Sequence, residues 1–89
     1  MFLYITKDFN LSAFLWTYQK DGVRTSLEKT TTVKEGVKPI IFFEFRLPLD
    51  EVDTGKLVFD YLNGKCLVEP QSFAEAQAKL KDLIHRQRA

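Results

Sequence analysis

Reactive and metal-binding side chains are scarce in this sequence of 89 residues, which contains one cysteine and one histidine. A single cysteine, Cys66, cannot form an internal disulfide, so the sequence predicts a reducing, cytoplasmic environment. Structural zinc needs about four ligands, whereas Cys66 and His85 supply two. Nothing in the local sequence orients these two residues as a nucleophile pair, and glycine-rich phosphate-binding loops are missing. We therefore predict no catalytic residues, no metal site and no cofactor.

The sequence also has little net charge and no long apolar run. Thirteen basic side chains are balanced by 12 acidic ones, so the formal net charge is +1 and the isoelectric point is about 7.8. Dedicated nucleic-acid-binding domains usually have an isoelectric point above about 9, so this balance disfavours that class. No apolar run reaches the roughly 18 residues of a membrane-spanning helix, and the first residues lack a signal peptide's charged start. The sequence predicts no membrane association.

Apolar residues are plentiful: 45% of the chain is hydrophobic and 13% is aromatic. This content predicts one packed domain over residues 1–89. Residues 2–6 are apolar and β-prone and predict a strand. Apolar side chains at helical spacing predict a helix over 10–19, and threonine-rich residues 24–33 predict an exposed strand after a turn. Residues 40–47 predict a strand with a core face formed by Ile41, Phe43, Phe45 and Leu47 and a half-polar face formed by Ile40, Phe42, Glu44 and Arg46.

Two helices are predicted in the second half of the chain. Acidic residues at 50–53 favour a helix N-terminus, and Asn63-Gly64 predicts where that helix ends. Its partial apolar stripe consists of Val52, Val58, Tyr61 and Leu62. The last helix is predicted from a capping box of Ser72 and Glu75. The order β-α-β-β-α-α predicts an α+β fold, in which helices pack on one face of a small antiparallel sheet of about three strands.

Three aromatic residues have no clear place in one core: Trp16, Tyr18 and Phe42. The first helix is apolar around much of its circumference, so one side can pack on the sheet while another needs a cover. That cover is either another protein chain or the last helix of the same chain, and the sequence leaves both open. Because Trp and Tyr often carry interface energy, one hypothesis assigns these three residues to a protein interface or to self-association.

Positive charge gathers in two segments that could bind phosphates. Five basic and three acidic side chains in residues 20–38 give a net charge of +2, and three basic and one acidic side chains in 81–88 give the same. A hairpin and a helix end with these charges favour nucleic-acid backbone contacts, whereas an ordinary solvated surface is the simpler alternative. The candidate nucleic-acid-binding residues are Arg24, Lys29, Lys34, Lys38, Arg86 and Arg88.

Several short segments share a spacing with a known group of proteins. They are Thr6-x-Asp8, Leu11-x-Ala13-Phe14-Leu15, Phe43-x-Phe45, Tyr61-Leu62-Asn63-Gly64 and Val68-x-Pro70. Over most of its length the chain resembles a family of very short bacterial and mobile-element proteins classed as a domain of unknown function. The resemblance implies a phage or mobile-element origin and transfers no activity and no site residue. We expect a non-enzymatic module that binds a protein partner, with accessory nucleic-acid binding as the alternative.

Overall fold

The computed structural model describes residues 1–36 and 38–88, without the side chains of Glu35 and Arg88. In chain order the elements are β1 (Phe2–Thr6), α1 (Phe9–Thr17), β2 (Gln19–Lys20), β3 (Val23–Arg24), β4 (Ser26–Glu35), β5 (Lys38–Leu47), α2 (Glu51–Leu62) and α3 (Pro70–Arg88). A three-stranded antiparallel sheet has the order β1-β5-β4, and β2 and β3 form a separate two-stranded ribbon. The predicted α+β class is confirmed, and the ribbon is an addition to it.

Strand β5 lies at the centre of the sheet and separates its two faces. Its predicted core residues are buried, as the strict alternation of side chains requires. On that face Phe43 and Phe45 share a buried cluster with Ala76 and Leu80 of α3. The helices therefore cover one face of the sheet, as predicted.

Local hydrogen bonds place α1 and the ribbon. The Asp8 side chain accepts from the Leu11 N–H at 2.8 Å and caps the first turn of α1. The helix ends at Thr17, before the predicted boundary at residue 19, because Tyr18 is extended. Asp21 and Gly22 then adopt φ values of 52° and 78°, which a two-residue hairpin turn requires. The predicted turn at this point is thus the tip of the ribbon.

Helix α3 begins at Pro70 rather than at Ser72. Glu69 Oε1 accepts from the Gln71 N–H at 3.1 Å, and Glu69 Oε2 accepts from the Ser72 N–H at 2.6 Å. Proline suits the first helical position because it has no N–H to satisfy and its φ is already helical. The predicted capping box is wrong, since Ser72 lies inside the first turn and Glu75 accepts from the Gln71 side chain at 3.4 Å.

Helix α2 is anchored at both ends and along its inner side. The Asp50 side chain accepts from the Asp53 N–H at 2.8 Å, which confirms the predicted acidic start. The helix ends at Asn63 and Gly64, as predicted, and Gly64 has a φ of 72°. Along the inner side, the Tyr61 ring stacks on Phe14 of α1 with 4.5 Å between ring centroids. Helix α2 is therefore held in one orientation against α1.

Candidate interaction surface

Cys66 lies in an environment that does not activate its thiol. The Cys66 thiol is half-buried and points to the Leu57 carbonyl oxygen at 4.0 Å. Burial, and secondly the charge of Asp60, raises the pKa of this thiol, so it is protonated rather than nucleophilic at neutral pH. His85 is exposed on α3. Within residues 1–36 and 38–88, no three His, Cys, Asp or Glu side chains are grouped so that they could hold a metal ion.

Trp16 lies where α1, α3 and the ribbon meet. Its ring packs against Phe45, with 6.3 Å between centroids, and Lys79 Nζ of α3 lies 5.6 Å from the indole centroid. The adjoining cavity of about 250 Å³ is also lined by Arg24 and Thr25. Small-molecule sites are usually larger, at roughly 300–1,000 Å³, and mostly apolar. This small, largely polar cavity is therefore a poor match to a ligand site.

The structure does not bring the three predicted interface aromatics to one surface. Trp16 and Tyr18 are half-buried and pack against the core on the helix-covered side of the sheet. Phe42 is half-buried on the opposite face, because it alternates with the buried residues Ile41 and Phe43. A single partner surface that includes all three residues is not available in this fold.

The uncovered face of the sheet is a mixed surface. Its apolar members are Leu3, Ile5, Val33, Ile40 and Phe42, of which Ile5 is the most exposed at 59%. Charged side chains lie among them: Arg46 Nε donates to Glu28 across two strands, and Lys29 lies opposite Glu44. These charged residues therefore gather at one end of the face, whereas Val33, Ile40 and Phe42 lie together at the other end.

Helix α2 is apolar on two sides. Val58 is buried on the inner side, where Leu57 and Tyr61 also pack against the core. The four residues that the sequence analysis placed in one stripe therefore divide between two sides: Val58 and Tyr61 point inward, whereas Val52 and Leu62 point outward.

The outward side of α2 carries large apolar side chains in water. Val52, Phe59 and Leu62 are 65%, 63% and 64% exposed. Together with Gly55 they recur along the chain at intervals of three, four and three residues, which places them along one line of the helix surface. We call Val52, Gly55, Phe59 and Leu62 the outer stripe of α2. This stripe was not predicted, although its spacing is visible in the sequence beside the separate inner set Thr54, Val58 and Tyr61.

Leu67 extends the same exposed apolar character beyond the end of α2. It lies in the segment between α2 and α3 and is fully exposed, at 100%. A fully exposed leucine has no packing role within the chain. Its side chain is therefore available for contact with another molecule.

The predicted phosphate-binding residues are dispersed. Lys29 and Lys38 lie on the uncovered face of the sheet, about 20 Å apart along the strands. Lys34 alternates to the other face, and Arg24 belongs to the ribbon. Arg86 pairs with Asp82 at 2.9 Å, and the side chain of Arg88 lies outside the described residues. Gln87 hydrogen-bonds to Thr30 and Thr32 and so brings the end of α3 to the face that carries Lys34, whereas Arg24, Lys29 and Lys38 lie elsewhere among the described residues.

Comparisons with protein-family models, curated protein sequences and solved structures returned no match to this chain. The resemblance to a domain of unknown function stays a prediction. No helix in the described ranges has both the length and the apolarity needed to cross a bilayer. Function is therefore inferred from the surface geometry alone.

Proposed function

We propose that this protein is a non-enzymatic interaction module of the cytoplasm that binds a protein partner through the outer stripe of α2 and Leu67. The observation that carries the proposal is the exposure of Val52, Phe59 and Leu62, each above 60%, on a helix whose other side is buried. Apolar surface in water costs about 25 cal/mol per Å², so covering the stripe with a partner is favourable.

The rigidity of α2 supports the same proposal. Its Asp50 cap, the stack of Tyr61 on Phe14 and the buried Val58 hold the helix before any partner arrives. A preformed surface loses little conformational entropy on binding, so more of the gain from burial remains as affinity. An apolar helix face is also a common way to dock on another protein.

The alternative of nucleic-acid binding has weaker support. Phosphate contacts need several cations that reach one backbone together, and Arg24, Lys29 and Lys38 lie away from the face that carries Lys34 and the end of α3. Arg86 is further engaged by Asp82.

The experiment compares two double variants that each replace two exposed apolar residues with serine. Phe59→Ser with Leu62→Ser alters the outer stripe, and Leu3→Ser with Ile5→Ser is the matched control on the uncovered face of the sheet. Tagged wild-type and variant proteins are expressed in the native cells, and retained proteins are quantified. We expect a partner that binds the wild type and the control but not the stripe variant. Equal retention by the stripe variant, with unchanged helicity, contradicts the proposal.

A further inference from the structure

We infer that the outer stripe of α2 binds the outer stripe of a second copy of this chain, as an antiparallel helix pair about a twofold axis. The inference rests on the proposed function and names its partner. It depends on the reciprocal arrangement of large and small residues in the stripe, on the charges beside it and on its area.

The outer stripes of two copies are complementary to each other when the two α2 helices run antiparallel. With the twofold axis level with Leu57, Val52 of one copy lies opposite Leu62 of the other. Gly55 then lies opposite Phe59 of the other copy, and the symmetry repeats both pairings. Contact residues at alternating intervals of three and four residues are typical of two helices that pack side by side. Each contact in such an interface is made twice, as in other twofold dimers.

Gly55 is the residue that this pairing explains. Glycine inside a helix is unfavourable compared with alanine, and no atom lies within 4 Å of the position that a Cβ would take. Packing within the chain therefore gives no reason for a glycine here. Without a side chain, Gly55 leaves a notch in the outer stripe, and Phe59 is a 63% exposed ring one turn away. In the antiparallel pair, the ring of each Phe59 fits over Gly55 of the other copy.

The charges near the stripe favour the antiparallel direction. Asp50 and Glu51 are exposed at the start of α2, and exposed Lys65 follows its end. The antiparallel pair places Lys65 of one copy beside the acidic start of the other, and it also sets the two helix dipoles in opposite directions. A parallel pair would instead place the two acidic starts together.

The available area suits a weak dimer. The exposed parts of Val52, Phe59 and Leu62 amount to roughly 400 Å² a chain and about 800 Å² for the pair, which is in the range of weak, transient interfaces. Such a dimer dissociates on dilution. The uncovered face of the sheet offers no such match, because its charged residues Arg46, Glu28, Lys29 and Glu44 gather at one end and strands β1, β4 and β5 contain no glycine.

The test is sedimentation equilibrium of the purified chain from micromolar to millimolar concentration, with three variants. Phe59→Ser removes the ring, Gly55→Leu fills the notch, and Ile5→Ser is the control on the sheet. We expect a monomer–dimer equilibrium for the wild type and the control. We expect at least about tenfold weaker dimerisation for Phe59→Ser and for Gly55→Leu. Gly55→Leu is the decisive variant, because it distinguishes two kinds of association. It weakens a dimer in which Phe59 fits over Gly55, whereas it strengthens a general apolar association by adding apolar surface.

Circular dichroism establishes that each variant keeps its helices. A wild type that is monomeric throughout overturns the self-pairing, and so does a dimer that Gly55→Leu leaves unchanged or strengthens. The proposed function fails by a different result, namely a stripe variant that still captures the partner from cells. A monomeric wild type that captures another protein only when Phe59 is intact overturns the self-pairing and leaves the proposed function standing.

Discussion

Phe45 and Phe59 are the same residue type in opposite environments. Phe45 is 0% exposed and its ring packs against Phe43 and Trp16. Phe59 is 63% exposed and contributes little to the interior. The contrast separates the two tasks of aromatic residues in this chain, which are filling a small core and forming a surface for another molecule.

We predict that Phe45→Ala lowers the free energy of unfolding by about 3–5 kcal/mol, because it leaves a cavity in a packed core. The same change at the exposed position, Phe59→Ala, should cost less than about 0.5 kcal/mol in the monomer. Urea denaturation at low protein concentration measures both values. A loss at Phe59 as large as that at Phe45 would show that the Phe59 ring is part of the core.

Among single residues, Trp16 illustrates a limit of sequence interpretation. The spacing of Trp16 from the other apolar residues of α1 predicts, from the sequence alone, a second apolar face on this helix. Which molecule covers that face depends on the path of α3, some 60 residues later, and Lys79 of α3 reaches the indole ring within the same chain. Periodicity reports the spacing of apolar residues but not which of them another element covers.

At the scale of elements, the start of α3 links charge to helix stability. Hydrogen bonds from the side chain and N–H of Ser72, and then from the N–H of Gln71, hold the pKa of the Glu69 carboxyl below its ordinary value of 4.5. A carboxyl with a lowered pKa in the folded state stabilises the fold above the unfolded pKa. That contribution is lost as the pH falls through the folded pKa.

We therefore predict that wild type is more stable than Glu69→Gln at neutral pH, and that the difference shrinks as the pH falls below about 4.5. The glutamine keeps an acceptor oxygen but has no charge to interact with the helix N-terminus. Urea denaturation of both proteins between neutral and acidic pH measures the difference. A difference that does not change with pH would mean that the Glu69 charge has no part in capping.

The elements differ in how well the sequence predicts them. Strand β5 was predictable because each alternate residue from Ile41 to Leu47 is apolar and buried. The start of α3 was not, because Ser72 and Glu75 match one capping pattern while Glu69 and Pro70 match another. Only the backbone geometry decides between the two. Helix α2 itself was predicted, but residues of its outer stripe and of its inner side were assigned to a single apolar stripe, because apolar residues occur on both sides.

At the scale of the whole molecule, self-pairing and stability are linked. A dimer that forms only from folded chains shifts the equilibrium toward the folded state as concentration rises. We predict that the thermal midpoint of the wild type increases with protein concentration and that the midpoint of Phe59→Ser does not. Thermal unfolding followed by circular dichroism at low and high concentration measures both. A wild-type midpoint that is independent of concentration would contradict the link.

The global architecture was largely accessible from the sequence, whereas the interaction surface was not. Fold class follows from the order of local patterns, and each pattern is set by neighbouring residues. A surface depends on what remains uncovered after all elements have packed. Phe42 and the outer stripe of α2 are exposed or half-buried for that reason: local patterns separate them from Phe43 and Val58 but do not show which of the two sides another element covers.

The strand order β1-β5-β4 also determines when each strand can pair. Strand β4 ends at Glu35 and β5 begins at Lys38, so these two can close a hairpin locally. Strand β1 pairs only with β5, in the register Phe2 opposite Leu47. At roughly 5–20 residues per second, a ribosome takes about 2–8 seconds to synthesise the chain between them. Strand β1 is therefore made well before its partner strand, and its apolar residues wait unpaired in the nascent chain until β5 follows.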